Sequence, residues 1–144
     1  MRLSKYFTIE EFVISQTATR LGINNTPSEQ AIKNMEALCL KILDPLREAI
    51  GKPIIISSGY RSPELNKAIG GAPNSQHCLG EAADILIPQL YPCEVFTKII
   101  ELDLPYDQVI DEFKQWTHVS YTSSPRKQKL LARRENDSIN YFKA

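Results

Sequence analysis

The ten residues from Ser75 to Asp84 constrain the fold of this chain more than any other segment. Their sequence, SQHCLGEAAD, places His77 and Asp84 seven residues apart. Because this spacing is too long for neighbours on one helical turn, the two side chains can meet only if the chain loops back. Gly80 permits such a loop, and the small alanines that follow it allow the next segment to approach closely.

Two predicted strands carry further polar side chains that bear on this loop. Residues 82–87 (AADILI) place Asp84 among apolar residues, which is costly unless its charge is paired or coordinates a metal. Residues 116–121 (WTHVSY) carry His118 on the same side as Trp116 and Ser120. If the strands are neighbours, the chain's two histidines and Asp84 provide the donors of a catalytic zinc site with an open water position. The alternative is that these residues make ordinary hydrogen bonds.

The remaining pattern indicates an α+β fold with helices packed on one face of a small, mainly antiparallel sheet. A capping box at Thr8 predicts a short helix to Ser15, followed by a loop over residues 16–25. Thr26 is expected to cap a long helix to Ile50, with a kink near Pro45. Further helices are predicted at 63–69 and 92–102, a buried strand at 53–58, and strands at 82–87, 108–113 and 116–121. We expect a single domain spanning residues 1–144.

Composition narrows the possible partners. The 17 basic and 17 acidic residues balance, which argues against nucleic acid as a partner. No apolar run approaches the roughly 18 residues that a membrane span needs, so we expect no membrane insertion. The three cysteines form no zinc-binding or disulfide pattern and are expected to be small buried hydrophobes. We expect the protein to be made in the cytoplasm, because the first residues lack the pattern of a secretory signal. We also expect a monomer.

From Phe7 to about Tyr121 the chain resembles the zinc D-alanyl-D-alanine carboxypeptidase family. That family includes vancomycin-resistance dipeptidases and phage endolysins, and the Hedgehog signalling domain shares its fold. The small single-domain members from phages and bacteria are the most similar. The resemblance rests on Ser58-Gly59-Tyr60-Arg61-Ser62, on Asn66 with Gly70-Gly71, on Ser75 to Asp84, and on Trp116-x-His118-x-Ser120.

The resemblance implies roles for individual residues. One zinc ion would be held by His77, Asp84 and His118. Arg61 would act in catalysis by stabilising the oxyanion or by holding a substrate carboxylate; the alternative is a surface arginine in a turn. Substrate binding would involve Ser75, Tyr60 and Gln76.

The resemblance also implies a general base. Many relatives place a glutamate three residues before the last histidine, where this chain has Gln115. Glu112 resembles the base of the small-domain members and would take a proton from a zinc-bound water. Asp111 is the alternative, because strand register decides which carboxylate faces the metal. Glu112 could also be a solvated carboxylate at a strand edge.

The activity implied is hydrolysis of a peptide bond in peptidoglycan stem peptides, by a carboxypeptidase or an endopeptidase. Such an enzyme would act on the cell wall as an endolysin or in wall remodelling, after holin-type release or as part of a virion. The candidate bonds are D-Ala–D-Ala, L-Ala–D-Glu and cross-bridge bonds. Alternatives are a zinc-stabilised module that binds the wall without cutting it and a structural phage component.

The basic segment Arg126 to Arg134 has two interpretations. It could contact anionic wall polymers, or it could be a solvated surface on a closing strand or turn.

Overall fold

Six strands form one mixed sheet at the centre of the structure, a computed structural model that describes residues 1–144. Their spatial order is β1-β2-β4-β3-β5-β6. Every neighbouring pair is antiparallel except β3 and β5, which are parallel. The strands are β1 (Ile55–Ser58), β2 (Ala82–Leu86), β3 (Gln108–Glu112), β4 (Trp116–Ser120), β5 (Gln128–Glu135) and β6 (Ser138–Lys143). The predicted α+β class with a mainly antiparallel sheet is confirmed.

The helices cover one face of this sheet and bury the core against it. Apolar side chains from several helices, such as Phe12, Met35 and Ile99, form one cluster with inward-facing strand residues such as Ile85 and Val119. The helical elements are α1 (Ile9–Val13), α2 (Gln16–Leu21), α3 (Glu29–Leu38), a π-helical turn (Cys39–Leu43), α4 (Asp44–Ile50), α5 (Pro63–Ala68), a 3₁₀ turn (Gln76–Leu79) and α6 (Pro92–Glu101). Because strand side chains alternate, the residues between these core positions face the other side of the sheet.

The predicted long helix is interrupted just before Pro45, as expected for a residue that lacks an N–H and crowds the preceding turn. The chain accommodates the ring with the π-helical turn, in which the Asp44 N–H donates to the Cys39 carbonyl. The helix then continues to Ile50, and Gly51 ends it in a left-handed conformation.

Several local predictions were wrong. Residues 16–21 form α2 rather than a loop, because the Ser15 hydroxyl caps its first turn and Gly22 ends it. The long helix is capped by Ser28, which accepts from the Ala31 N–H, and not by Thr26.

Burial differs from the prediction at two further places. The strand β1 lies at the edge of the sheet and is partly exposed rather than buried. Among the three cysteines only Cys39 is buried, while Cys78 is half-buried and Cys93 is exposed.

The strand β6 was not predicted at all. No helix combines the length and the apolar character needed to cross a bilayer.

Candidate metal centre and active-site cleft

Strand register brings Asp84 and His118 together on the sheet face opposite the helices. The two residues are direct partners between β2 and β4. On either side, Ser58 of β1 pairs with Asp84, and Ile110 of β3 pairs with His118. Residues directly opposite each other on antiparallel strands project to the same face. The predicted adjacency of the two strands is therefore observed.

His77 reaches the same place from the 3₁₀ turn before β2. The Ser75 hydroxyl caps this turn by accepting from the His77 N–H at 3.2 Å. Gly80 ends it with φ of 75°, and a Cβ at this position would overlap the Ala31 carbonyl. The His77 ring is oriented by its Nδ1, which lies 2.7 Å from the Gly59 carbonyl oxygen. Since a carbonyl only accepts, Nδ1 carries the proton and Nε2 presents a lone pair to the site.

The three predicted ligands converge on one point. Asp84 Oδ1 lies 3.4 Å from His77 Nε2 and 2.9 Å from His118 Nδ1. One donor atom from each of the three residues lies within 4.8 Å of the other two, and all three residues are buried. Ligand atoms bound to tetrahedral zinc lie about 3.4 Å apart. Two imidazoles and one carboxylate at these separations therefore fit a zinc ion.

The electrostatics of the site suit metal binding. Burial lowers the pKa of His77, so this ring is neutral near pH 7. Burial alone would raise the pKa of Asp84, but the two histidines hold it below its usual range. Burial alone would lower the pKa of His118, but the hydrogen bond with Asp84 raises it. The charged Asp84 carboxylate and the neutral His77 ring are the forms in which these side chains bind metal, whereas His118 would release its Nδ1 proton as a metal ion binds.

Arg61 lies beside the predicted ligands and is held by a second residue of the family pattern. Its Nη2 lies 3.7 Å from Asp84 Oδ2, and its Nη1 donates to Asn66 Oδ1 at 3.1 Å. The Asn66 amide is itself fixed, since it donates to the Ala72 carbonyl at 2.8 Å. A Cβ at Gly71 would overlap the Asn66 amide, which explains the glycine there. The guanidinium is thus oriented toward the metal centre.

Glu112, rather than Asp111, faces the site. Glu112 Oε1 lies 3.8 Å from His118 Nδ1, and burial raises the pKa of Glu112. Asp111 points to the opposite face, where it accepts from Arg133 Nη2 at 3.4 Å and from the Lys114 N–H. Gln115 is exposed in the turn between β3 and β4. The register therefore places one carboxylate, Glu112, next to the predicted ligands.

These residues line a cleft of about 730 Å³ that crosses the sheet. Ser75 and Gln76, the two other residues predicted to bind substrate, lie in its wall. Tyr60 does not: its side chain is buried in the core and borders a neighbouring pocket of about 430 Å³. Three buried polar atoms have no hydrogen-bond partner in the chain, and all belong to residues of the cleft: Arg61 Nε, Gln76 Oε1 and Trp116 Nε1.

The comparisons with known proteins agree with this geometry. The model of the peptidase M15 family matches residues 5–120. The chain belongs to this family. Over 44 residues, 30% of its length, it is also 48% identical to the zinc D-Ala-D-Ala carboxypeptidase of Streptomyces albus G, although this match spans 17% of that relative. The resemblance seen in the sequence is confirmed, and both matches support the predicted class of zinc-dependent peptidase.

The peptidase M15 match ends at Ser120, and an ion pair connects the residues beyond it to the matched part of the chain. There, Arg126 binds Asp107, a residue that the sequence analysis missed. Asp107 is 2% exposed and accepts from Arg126 Nε at 3.0 Å, Nη2 at 2.7 Å and the backbone N–H at 2.9 Å. It also accepts from Gln76 Nε2 at 3.0 Å. Asp107 therefore connects Arg126, which precedes β5, to Gln76, which precedes His77.

Replacing Asp107 with asparagine is expected to lower the free energy of unfolding by about 2 kcal/mol at pH 7, because charge-assisted hydrogen bonds are lost. Hydrogen bonds from Arg126 lower the pKa of Asp107. The carboxylate thus stabilises the fold above its unfolded pKa of about 3.9, and this contribution is lost as the pH falls through the lower folded value. Urea unfolding at pH 7 and pH 3 should show the difference between the two proteins shrinking in acid. A constant difference would contradict this role.

Proposed function

We propose that the chain is a zinc-dependent peptidase that hydrolyses a peptide bond in peptidoglycan stem peptides. The observation that carries this proposal is the convergence of His77 Nε2, Asp84 Oδ1 and His118 Nδ1 in one cleft with Glu112 and Arg61. The donor set supports one zinc ion, and the two additional charged groups are those that peptide hydrolysis requires.

Zinc bound at this site would supply Lewis acidity, which activates water and polarises the scissile carbonyl. Glu112 then acts as the general base: it takes a proton from the attacking water and returns it to the leaving amine. Its raised pKa suits this exchange, because a base works best when its pKa approaches the operating pH. The position of Glu112 beside His118 places it on the β3 side of the predicted ligands.

Arg61 acts from the other side, next to Asp84. Negative charge develops on the carbonyl oxygen when water attacks, and a guanidinium that is already in place stabilises it without reorganisation. The contact with Asn66 provides this orientation. The same guanidinium could hold a substrate carboxylate if the enzyme removes a terminal residue.

The wall peptide is proposed as the substrate from the family and from the named relative. That relative is called a zinc D-Ala-D-Ala carboxypeptidase, and the family resemblance seen in the sequence implies peptidoglycan stem peptides as the substrate. We extend this to the present chain as a class of substrate, with a carboxypeptidase or an endopeptidase as the two forms of the activity. The site of action would be the cell wall, in phage lysis or in wall remodelling.

The test is mass spectrometry of peptides released from purified cell walls by the zinc-loaded protein. The expected result is a new set of soluble peptides, whose masses identify the bond that is cut. His77→Ala should abolish their release. Binding to walls without any released peptide would favour the non-catalytic binding module, and neither binding nor release would favour a structural component.

Replacing Arg61 with glutamine is expected to lower kcat by about 10²- to 10³-fold, the effect of losing one group that stabilises an oxyanion. Zinc content should stay at the wild-type value, since Arg61 is not a predicted ligand. A matched control is Arg20→Gln, because Arg20 is exposed on α2 outside the cleft. Steady-state kinetics on a stem peptide would reveal the difference. Equal rates for the two variants would exclude Arg61 from the chemistry.

A further inference from the structure

The hairpin formed by β5 and β6 builds one wall of the cleft. Leu130, Arg134, Ile139 and Tyr141 line the cleft from this hairpin. The parallel pairing of β5 with β3 places the hairpin on the Glu112 side of the metal centre, while Arg61 follows β1 on the other side. The hairpin lies outside the part of the chain that matches the peptidase M15 family. This wall is therefore a feature through which the present chain can select its own substrates.

The basic residues of this region divide into paired and unpaired groups. Arg126 binds Asp107, Lys127 binds Asp103 and Arg133 binds Asp111. Two remain without any carboxylate partner: Lys129 and Arg134. Strand alternation separates these two, because Arg134 shares the cleft face with Leu130, whereas Lys129 projects to the other side. Arg134 is thus the unpaired cation of this segment that faces the cleft.

Arg134 is exposed at the mouth of the cleft and contacts an aromatic ring instead of forming an ion pair. Its guanidinium carbon lies 4.8 Å from the centre of the Phe113 ring, and that ring packs edge-on against Trp116 at 5.6 Å. Phe113 is fixed by a turn with positive φ, in which its N–H donates to the Ala132 carbonyl at 2.9 Å. A guanidinium stacked on a ring keeps its N–H edge free to bind a carboxylate through two parallel hydrogen bonds.

The charges that line the cleft favour an anionic ligand at this point. The side chain of Arg61 is opposed by Asp84, and that of Arg126 by Asp107. Glu112 lies beside His118. No acidic side chain offsets Arg134, and a divalent metal ion would add further positive charge to the cleft. A carboxylate on the substrate would neutralise the positive charge of Arg134.

We propose that Arg134, which stacks on Phe113 and lines the cleft together with Tyr141, forms a subsite for a residue of the substrate peptide that bears a free carboxylate. This inference rests on the proposed function and names the substrate class more closely: an acidic peptide, whose charged residue lies on the Glu112 side of the scissile bond. It is more specific than a general contact of the basic segment with anionic wall polymers, because only one of the two unpaired cations, Arg134, faces the cleft.

Two stem peptides test this subsite. They are identical except that the α-carboxyl of the D-Glu residue is free in one and amidated in the other. Wild-type protein should cleave the free acid with a kcat/KM about 10- to 100-fold higher, the range expected for one charge-assisted pair. Arg134→Gln should remove this preference and leave the amidated peptide unaffected. Lys129→Gln, which removes the same charge from the other face of the hairpin, should keep the preference.

Binding provides a readout that does not depend on turnover. Calorimetric titration of the Glu112→Gln variant with both peptides should show the same preference for the free acid, and adding Arg134→Gln should abolish it. Phe113→Leu, which keeps the charge but removes the ring beneath it, should give an intermediate preference. Cleavage of both peptides with equal kcat/KM by wild type, or a preference that survives Arg134→Gln, would overturn the subsite. Cleavage of neither peptide, together with no release from walls, would instead overturn the proposed function.

Discussion

Replacing His118 with alanine is expected to reduce zinc affinity by more than about 100-fold and to bring peptide hydrolysis to the background rate. Residues that merely orient a metal ligand cost about 10- to 100-fold in affinity when they are lost, so the loss of a ligand should cost more. His118 is also the hydrogen-bond partner of Asp84, at 2.9 Å. Its removal would therefore leave the Asp84 carboxylate with fewer partners in a buried site.

The measurement is zinc titration against a competing chelator, followed by kinetics at saturating zinc. Thr117→Val is the matched control: Thr117 is the neighbouring residue on the same strand, but its hydroxyl donates to the Pro92 carbonyl on the opposite face. This control should bind zinc as tightly as the wild type. If His118→Ala kept wild-type affinity, His118 would not be a ligand.

Replacing Glu112 with glutamine is expected to lower kcat by about 10²- to 10⁴-fold, the usual contribution of a general base. Glutamine is nearly the same size and cannot accept the proton from water, so the fold should be unchanged. Zinc should still bind with a stoichiometry of one, because the three predicted ligands are intact. A variant that binds zinc but is inactive would show that Glu112 acts in catalysis and not in metal binding.

Asp111→Asn is the control for Glu112. Asp111 is adjacent in sequence, but it is buried on the other face and pairs with Arg133 at 3.4 Å. We expect this variant to lose stability and to keep its kcat, measured below its unfolding temperature. The reverse result, with Asp111→Asn inactive and Glu112→Gln active, would show that the base is Asp111.

The convergence of the three predicted ligands could be predicted because it follows from local rules. Alternation along 82–87 and 116–121 fixes the face of Asp84 and of His118, and Gly80 indicates the loop that returns His77 to them. The pairing of Asp84 with His118 then needs the two strands to be neighbours in the observed register, which the structure supplies. The caps at Ser15 and Gly22 were also visible in the sequence, but the polar composition of residues 16–25 obscured the helix between them.

Other parts of the site depend on contacts that no local pattern contains. Asp107 meets Arg126 and Gln76 across 19 and 31 residues. Which of Asp111 and Glu112 faces the metal is a question of register, and register is set by pairing with β4 and β5 together. The role of Arg134 depends on its place in β5 and on its contact with the Phe113 ring, which lies far from it in the sequence. Contacts between residues so far apart in the sequence can be identified only in the folded structure.

The most direct test of the metal centre is the anomalous difference map of a crystal of the zinc-loaded protein, recorded at the zinc absorption edge. We expect one peak, about 2.0–2.2 Å from His77 Nε2, from an Asp84 carboxylate oxygen and from His118 Nδ1. A peak elsewhere in the chain, or none between these three side chains, would contradict the account.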